Sequence, residues 1–385
     1  MSKPPIIYLD YAAATPLDPR VLAAMRPYLA GEFYNPSATY SRALGVKKAL
    51  IEARSSVARW LGARSSEVIF TAGGSEANNL AIHGLMRQFP EGNIVVSGLE
   101  HESVLEPAHG YDCREVAVQA DGRLDLDDLR QKIDANSVLV SIMYANNEIG
   151  TVQPVRQVAK VVADQRQQRR RAAGSKPARP LYFHSDAAQA ANYLDLHVAR
   201  LGIDMMTLNG GKLYGPKQTG VLYVKSGLKL LPLVQGGGQE RGLRSGTENV
   251  AGAIGLAAAL ELAQASRHQE LDRLTGLQGY FFERLKAILP AATVNGSLKY
   301  RLPNNIHFTL PGHDNERLLI QLDEAGIMAA AGSACSASRQ TPSHVLRALG
   351  LSDEQARSSL RFTMGRGTNQ ADIQRCLKLL AEVLQ

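Results

Sequence analysis

Short apolar runs, each closing on small or polar residues, recur along the chain as far as Val224. They are Val68–Thr71, Ile94–Ser97, Val138–Met143, Leu181–Ser185, Met205–Leu208 and Val221–Val224. Several are apolar at consecutive positions, the pattern of strands covered on both faces. Helical spacing fills Ser75–Arg87, Leu126–Ile133 and Val155–Gln168 between them. The alternation predicts an α/β fold with a mostly parallel sheet flanked by helices. Ligands in such sheets sit beyond the carboxyl ends of the strands, so the residues following each run are the candidates for chemistry.

After about Glu248 the texture changes. Val250–Gln264 is rich in Ala and Leu, and Leu271–Leu289 continues helical with charges interleaved. Ile306–Leu310 reads as a strand, Asn315–Gly326 as a helix, Ala329–Ser338 as a loop of small residues, and two helices flank Ser358–Met364. The expected division is a large unit, residues 16–255, and a smaller α+β unit made of 1–15 and 256–385.

Composition sharpens this mainly by exclusion. Of 385 residues, 45% are hydrophobic and 21% charged, so a large core is available. No run approaches the roughly 18 apolar residues of a membrane span. The opening MSKPPIIYLDYAAATP lacks the apolar stretch of a signal peptide. The three cysteines, Cys113, Cys335 and Cys376, lie far apart, which argues against a disulfide framework or a cysteine-based zinc site. A cytoplasmic protein is expected, with neither membrane nor metal. The net charge of +7 is too small to imply nucleic acid by itself. The basic run Gln165–Pro180 contains no aromatic residue and reads as a solvated helix end and loop rather than an RNA surface.

Five strand ends carry candidate groups. Gly73-Gly74-Ser75 opens a helix, where backbone N–H groups can take a phosphate; a plain turn and cap is the other reading. His101 can stack on a flat ligand or move protons. Asn146-Asn147-Glu148 can orient a polar ligand or tie down its loop. Asp186 suits a positive charge such as a protonated pyridine nitrogen, or else a helix cap. Lys212, in Asn209-Gly210-Gly211-Lys212, suits imine formation if partly desolvated. An Asp after one strand and a Lys after the next, with a phosphate turn and a His upstream, together fit pyridoxal phosphate. Cys335 sits among small residues, Gly332-Ser333-Ala334-Cys335-Ser336, the setting of a reactive rather than a core thiol. Arg361 offers a guanidinium fork to a carboxylate or to a structural ion pair.

These motifs resemble the cysteine desulfurases of the NifS/IscS type, class V aminotransferases of fold-type I. The resemblance rests on Tyr8–Pro16, Asn35-Pro36, Asn146–Gly150, Gly236–Thr247, Gly332–Cys335 and Pro342–Leu349, and it spans nearly the whole chain. It implies conversion of L-cysteine to L-alanine, with sulfur passed as a persulfide to an acceptor protein for iron–sulfur cluster assembly or thiolation. It implies pyridoxal phosphate on Lys212, with Asp186 at the ring nitrogen, Gln189 and Asn147 at the ring hydroxyl, and His101 on the ring face. Gly74, Ser75 and Asn209 are implied at the phosphate, joined by Thr247 from a second subunit of a homodimer. Arg361 with Asn35 and Asn147 is implied to bind substrate, and Cys335 to receive sulfur.

The chain departs from the family pattern in several places. The usual Ser-x-His before the lysine is Asn209-Gly210-Gly211 here, and Ser75 replaces a common Thr. Arg166–Arg171 looks inserted, and the chain ends soon after its final helix, without the longer tail of housekeeping members. A selenocysteine lyase-like enzyme, or a catalytically weak binding paralogue, are the alternative readings.

Overall fold

The structure is a computed structural model that describes residues 6–332 and 342–384. The chain opens with β1 (Ile7–Tyr8), α1 (Pro19–Ala30) and α2 (Ser41–Leu61). Next come β2 (Val68–Thr71), α3 (Gly74–Met86), β3 (Asn93–Ser97), α4 (Glu102–His109), β4 (Asp112–Val116), α5 (Leu126–Lys132) and β5 (Ser137–Ser141). The alternation continues with α6 (Val155–Ala173), β6 (Tyr182–Asp186), α7 (Val198–Leu201), β7 (Met205–Asn209) and β8 (Gly220–Val224). After α8 (Val250–Ala265) and α9 (Arg267–Ile288) follow β9 (Thr293–Val294), β10 (Asn305–Thr309), α10 (Asn315–Glu324) and β11 (Ile327–Met328). The described chain closes with α11 (His344–Ala348), α12 (Asp353–Arg357), β12 (Ser359–Thr363) and α13 (Gln370–Val383).

Seven strands form one sheet in the order β2-β8-β7-β6-β5-β3-β4. Only β8 runs against the others, pairing antiparallel with both β2 and β7. β3, β5 and β8 are buried along their whole length, and β6 everywhere but at Tyr182, which explains their apolar runs. A separate antiparallel sheet has the order β12-β10-β9, and β1 pairs parallel with β11. The first strand is thereby joined to residues more than three hundred positions later. No described helix is long and apolar enough to cross a membrane.

Three elements depart from the pattern reading. β4, Asp-Cys-Arg-Glu-Val, is a half-exposed edge strand with too little apolar signal to be anticipated. The strand expected through Met143 ends at Ser141, although Ile142 and Tyr144 still donate backbone bonds to His184 and Asp186. α6 runs on through the basic stretch to Ala173. There Arg166 bonds the Leu181 carbonyl at 2.7 Å and pairs with Asp204, and Arg169 bonds the Ser137 carbonyl at 2.7 Å.

Candidate active site

The carboxyl ends of the sheet open into one cavity. Its wall includes Gly74, Ser75, His101, Asn147, Asp186, Gln189, Asn209, Lys212 and Arg361. Nine of the residues singled out in the sequence therefore converge.

Asp186 ends β6, and its side chain is buried. Asn78 Nδ2 donates to its Oδ2 at 2.7 Å and the Ala188 N–H to its Oδ1 at 2.9 Å. A carboxylate fixed this way, with no cation among these partners, is suited to a ligand cation. Beneath it, fully buried Glu100 accepts from the Met143 N–H at 2.7 Å. Burial pushes the Glu100 carboxyl well above its ordinary range, so it adds no charge beside Asp186. His184, one strand position before Ser185, bridges Ser141 and Thr207 and stays neutral, because burial lowers it to about 4.

Lys212 closes a short helical turn, Gly210–Lys212, directly after β7. Its Nζ donates to the carbonyls of Ala12 at 2.8 Å and Ala13 at 2.5 Å. Gln189 Nε2 bonds the same Ala12 carbonyl at 3.0 Å. The N-terminal segment thus forms the cavity wall opposite Asp186.

α3 starts at the mouth with no side-chain cap, so its first N–H groups face the cavity beside Ser75. Gly73 enters the helix at φ 142°, a conformation only glycine holds without strain. Asn209 Oδ1 accepts from the Gly211 N–H at 3.0 Å, and its amide side chain lies against Gly74. A side chain at position 211 would meet Lys217 Cδ at 3.2 Å, so Lys217 has closed over the place of the missing side chain.

His101 caps α4. Its Nδ1 accepts from the Ser103 N–H at 3.0 Å, which leaves Nε2 as the nitrogen that carries the proton in the neutral ring. Arg361, on β12 of the small sheet, is 1% exposed. It donates to Asp10 Oδ1 at 2.6 Å and the Asn147 carbonyl at 3.1 Å, while its buried Nε has no partner among the described residues.

Other candidates fall elsewhere. Asn35 is exposed, accepts from the Ser37 N–H at 2.9 Å, and is not on the cavity wall. Thr247 is exposed in a second cavity with Arg244, Glu240 and Asn249. Cys335 lies outside the described residues. The two described cysteines are poor nucleophiles: burial raises Cys113 to about 11 and pushes Cys376 higher still. Asn78 and Glu100 were not anticipated. Asn78 lies one helical turn beyond Gly74, a spacing that would have placed it on the same wall. Glu100 gave no signal distinct from a surface carboxylate.

Pyridoxal phosphate fits these groups. The uncapped helix start can take its phosphate, the buried Asp186 its ring N–H, and the Lys212 amine its aldehyde carbon.

The Aminotransferase class-V model matches residues 7–376. The cysteine desulfurase IscS of Dictyoglomus turgidum is 39% identical over 386 residues, spanning 98% of this chain and 94% of that protein. A solved NifS-like protein superposes with a TM-score of 0.89 at 28% identity, covering 98% of this chain and 99% of its own. SspA in complex with cysteine superposes with a TM-score of 0.78 at 34% identity, covering 93% and 98%. With its fold, cavity and kinship in agreement, the chain belongs to the class-V aminotransferases, in the group of NifS- and IscS-type cysteine desulfurases, whose cofactor is pyridoxal phosphate.

Proposed function

We propose that the chain takes L-cysteine to L-alanine and carries the sulfur as a persulfide on Cys335 to an acceptor protein, working as a homodimer in the cytoplasm. The observation that carries this reading is the convergence of Lys212, Asp186, His101 and Arg361 on one cavity.

Bound pyridoxal phosphate supplies an electron sink for bonds at the substrate's α and β carbons. Asp186 holds a fixed negative charge for the ring N–H. His101 would meet the ring, and Asn147 and Gln189 its hydroxyl. Gly74, Ser75 and Asn209 would hold the phosphate, and Thr247 would reach the phosphate held by a second copy. Arg361 orients the substrate carboxylate, with Asn35 assisting. Lys212, leaving the Ala12 and Ala13 carbonyls, takes the α-proton as base. The Cys335 thiolate attacks the substrate sulfur. An S–S bond forms as the Cβ–S bond breaks, and the carbon skeleton gains a proton and leaves as alanine. A free thiol is only a few per cent ionised at neutral pH, so the thiolate fraction of Cys335 limits the rate, and His101 Nε2–H serves as a proton donor to the sulfur groups.

The test is release of alanine and sulfide from L-cysteine with dithiothreitol present to clear the persulfide. Equal amounts are expected. Cys335→Ala should still bind L-cysteine while releasing alanine at a few per cent of the parent rate at most. Normal release by that variant would remove Cys335 from the reaction, and alanine absent from the cofactor-loaded parent would point to another substrate, selenocysteine first.

A further inference from the structure

The residues around Gln165–Pro180 play no part in the chemistry above. That stretch holds Arg166, Arg169, Arg170, Arg171, Lys176 and Arg179 and no acidic residue, against a net charge of +7 for the entire chain. Nearly all the protein's charge imbalance therefore sits in sixteen residues. The fold places them at the amino ends of β5, β6 and β7, the opposite end of the sheet from the cavity that holds Lys212.

Two features are visible only in three dimensions. Lys225, at the end of β8, and Tyr182, at the start of β6, join Arg166, Arg170 and Arg179 around one open concavity. The sequence run has no aromatic residue of its own; the fold supplies one beside the guanidinium groups. The carboxylate in this concavity, Asp204, is already paired with Arg166 and with Lys225 at 3.2 Å. Arg170 and Arg171 are exposed, with no hydrogen bond or ion pair among the described residues. Burial lowers the Arg169 guanidinium from its ordinary range, and the charges of Arg179 and Arg166 lower it further against an opposing effect of Asp134.

We propose that this concavity binds single-stranded RNA through its phosphate backbone, with an unpaired base against Tyr182. A protein partner is the weaker match, because protein interfaces centre on apolar anchors. No large exposed hydrophobic residue lies between Ile51 and Leu231 among the described residues. What the surface offers is guanidinium forks that match phosphate and one aromatic edge within a hollow that a rigid duplex would only skirt.

Fluorescence anisotropy with a labelled 16-nucleotide single-stranded RNA tests this on the full, cofactor-loaded protein. Neutralising four phosphates, at about 0.7 per phosphate on the log–log salt slope, predicts about 50-fold weaker binding at 200 mM than at 50 mM salt. The pair Arg170→Glu/Arg171→Glu should weaken binding at least tenfold at 50 mM and flatten the slope, with cysteine turnover unchanged. Tyr182→Leu should lower affinity several-fold without changing the slope, since stacking carries no counterions. Absence of binding at 50 mM salt would overturn the proposal. So would equal binding by the charge-reversed pair. Competition by poly-glutamate as strong as by RNA would assign the surface to an acidic protein instead, and preference for duplex DNA would exclude the single-strand mode.

Discussion

Gly74, Ser75, His101, Asp186, Asn209 and Lys212 all follow strands of one sheet. Arg361 comes from the small sheet, the Ala12 and Ala13 carbonyls from the N-terminal segment, and Asn35 and Thr247 lie off the cavity wall. The two groups differ in how they are held. The backbone of each residue in the first is set by its own strand and the turn after it, with Asn78 and the Ala12 and Ala13 carbonyls steadying the Asp186 and Lys212 side chains. Arg361 and the N-terminal carbonyls of the second are set by contacts over very long stretches of sequence, such as Arg361 to Asp10. The half that would bind the cofactor is thus built locally on a rigid frame, and the half that would meet the substrate is assembled from distant pieces. Local construction tolerates drift elsewhere in the sequence; assembly from distant pieces allows the substrate side to be retuned without disturbing the cofactor side.

The sharpest way to break this comparison is Lys212→Ala. Loss of the base should cost on the order of 10⁴-fold in alanine production. Bound pyridoxal phosphate should still be detected after gel filtration, because Asp186 and the start of α3 are untouched. If the cofactor is lost as well, the first group is not independently built.

On the other side, Arg361→Lys replaces a fork by a point charge. A fall of about 100-fold in kcat/KM for L-cysteine is expected, chiefly through KM. For L-cysteine methyl ester, which has no carboxylate charge, the fall should be only a few-fold. Equal losses on both substrates would mean that Arg361 is structural, holding Asp10 and the Asn147 loop.

The frame beneath the cofactor side also has an acid limit. His184 is held neutral at about 4 in the folded chain, against 6.5 when unfolded. The unfolded state takes the proton first, so stability is complete above about pH 6.5 and is lost as pH falls toward 4. The upper bound is on the order of 3 kcal/mol. His307, lowered to about 3 by burial and by Arg301 and Arg361, does the same under the small sheet. Denaturant midpoints from pH 7 to pH 4 should fall, and His184→Gln should flatten that fall. A midpoint that stays level would refute the linkage.

The smallest effect is expected from Asn35→Ala, under twofold in kcat/KM, given its exposed place and its bond to the Ser37 N–H. A tenfold loss would show that Asn35 reaches a substrate, in its own cavity or in that of a second copy.

The same division explains what could be read from the sequence. The order of strands and the groups at their ends were legible because a strand buried on both faces leaves an unbroken apolar run, and the polar residue after it stands out. β4 was illegible because its residues, Asp-Cys-Arg-Glu-Val, are mostly half exposed and make no apolar run. Asn78 was overlooked because a buried amide on a helix looks like a solvent-facing one. The bond between Arg361 and Asp10 could not be read at all, since nothing in either local sequence records a partner some 350 positions away.

The pairing of β1 with β11 has a consequence in time. The acceptors of Lys212 are Ala12 and Ala13, among the first residues made. They are anchored by bonds from Leu9 to Met328 and from Ala12 to Thr363, among the last. Thr15 can meet Gly211 and Tyr214 once the large sheet is complete, but a ribosome must release most of the chain before Leu9 and Ala12 find Met328 and Thr363. Until then the segment around Leu9 is open to proteases and chaperones, and a pulse of protease during synthesis should clip near residue 9 in nascent chains and spare that site in finished ones. Docking of Arg361 against Asp10 would in that case mark completion of the polypeptide, so that the substrate side is assembled only in whole chains.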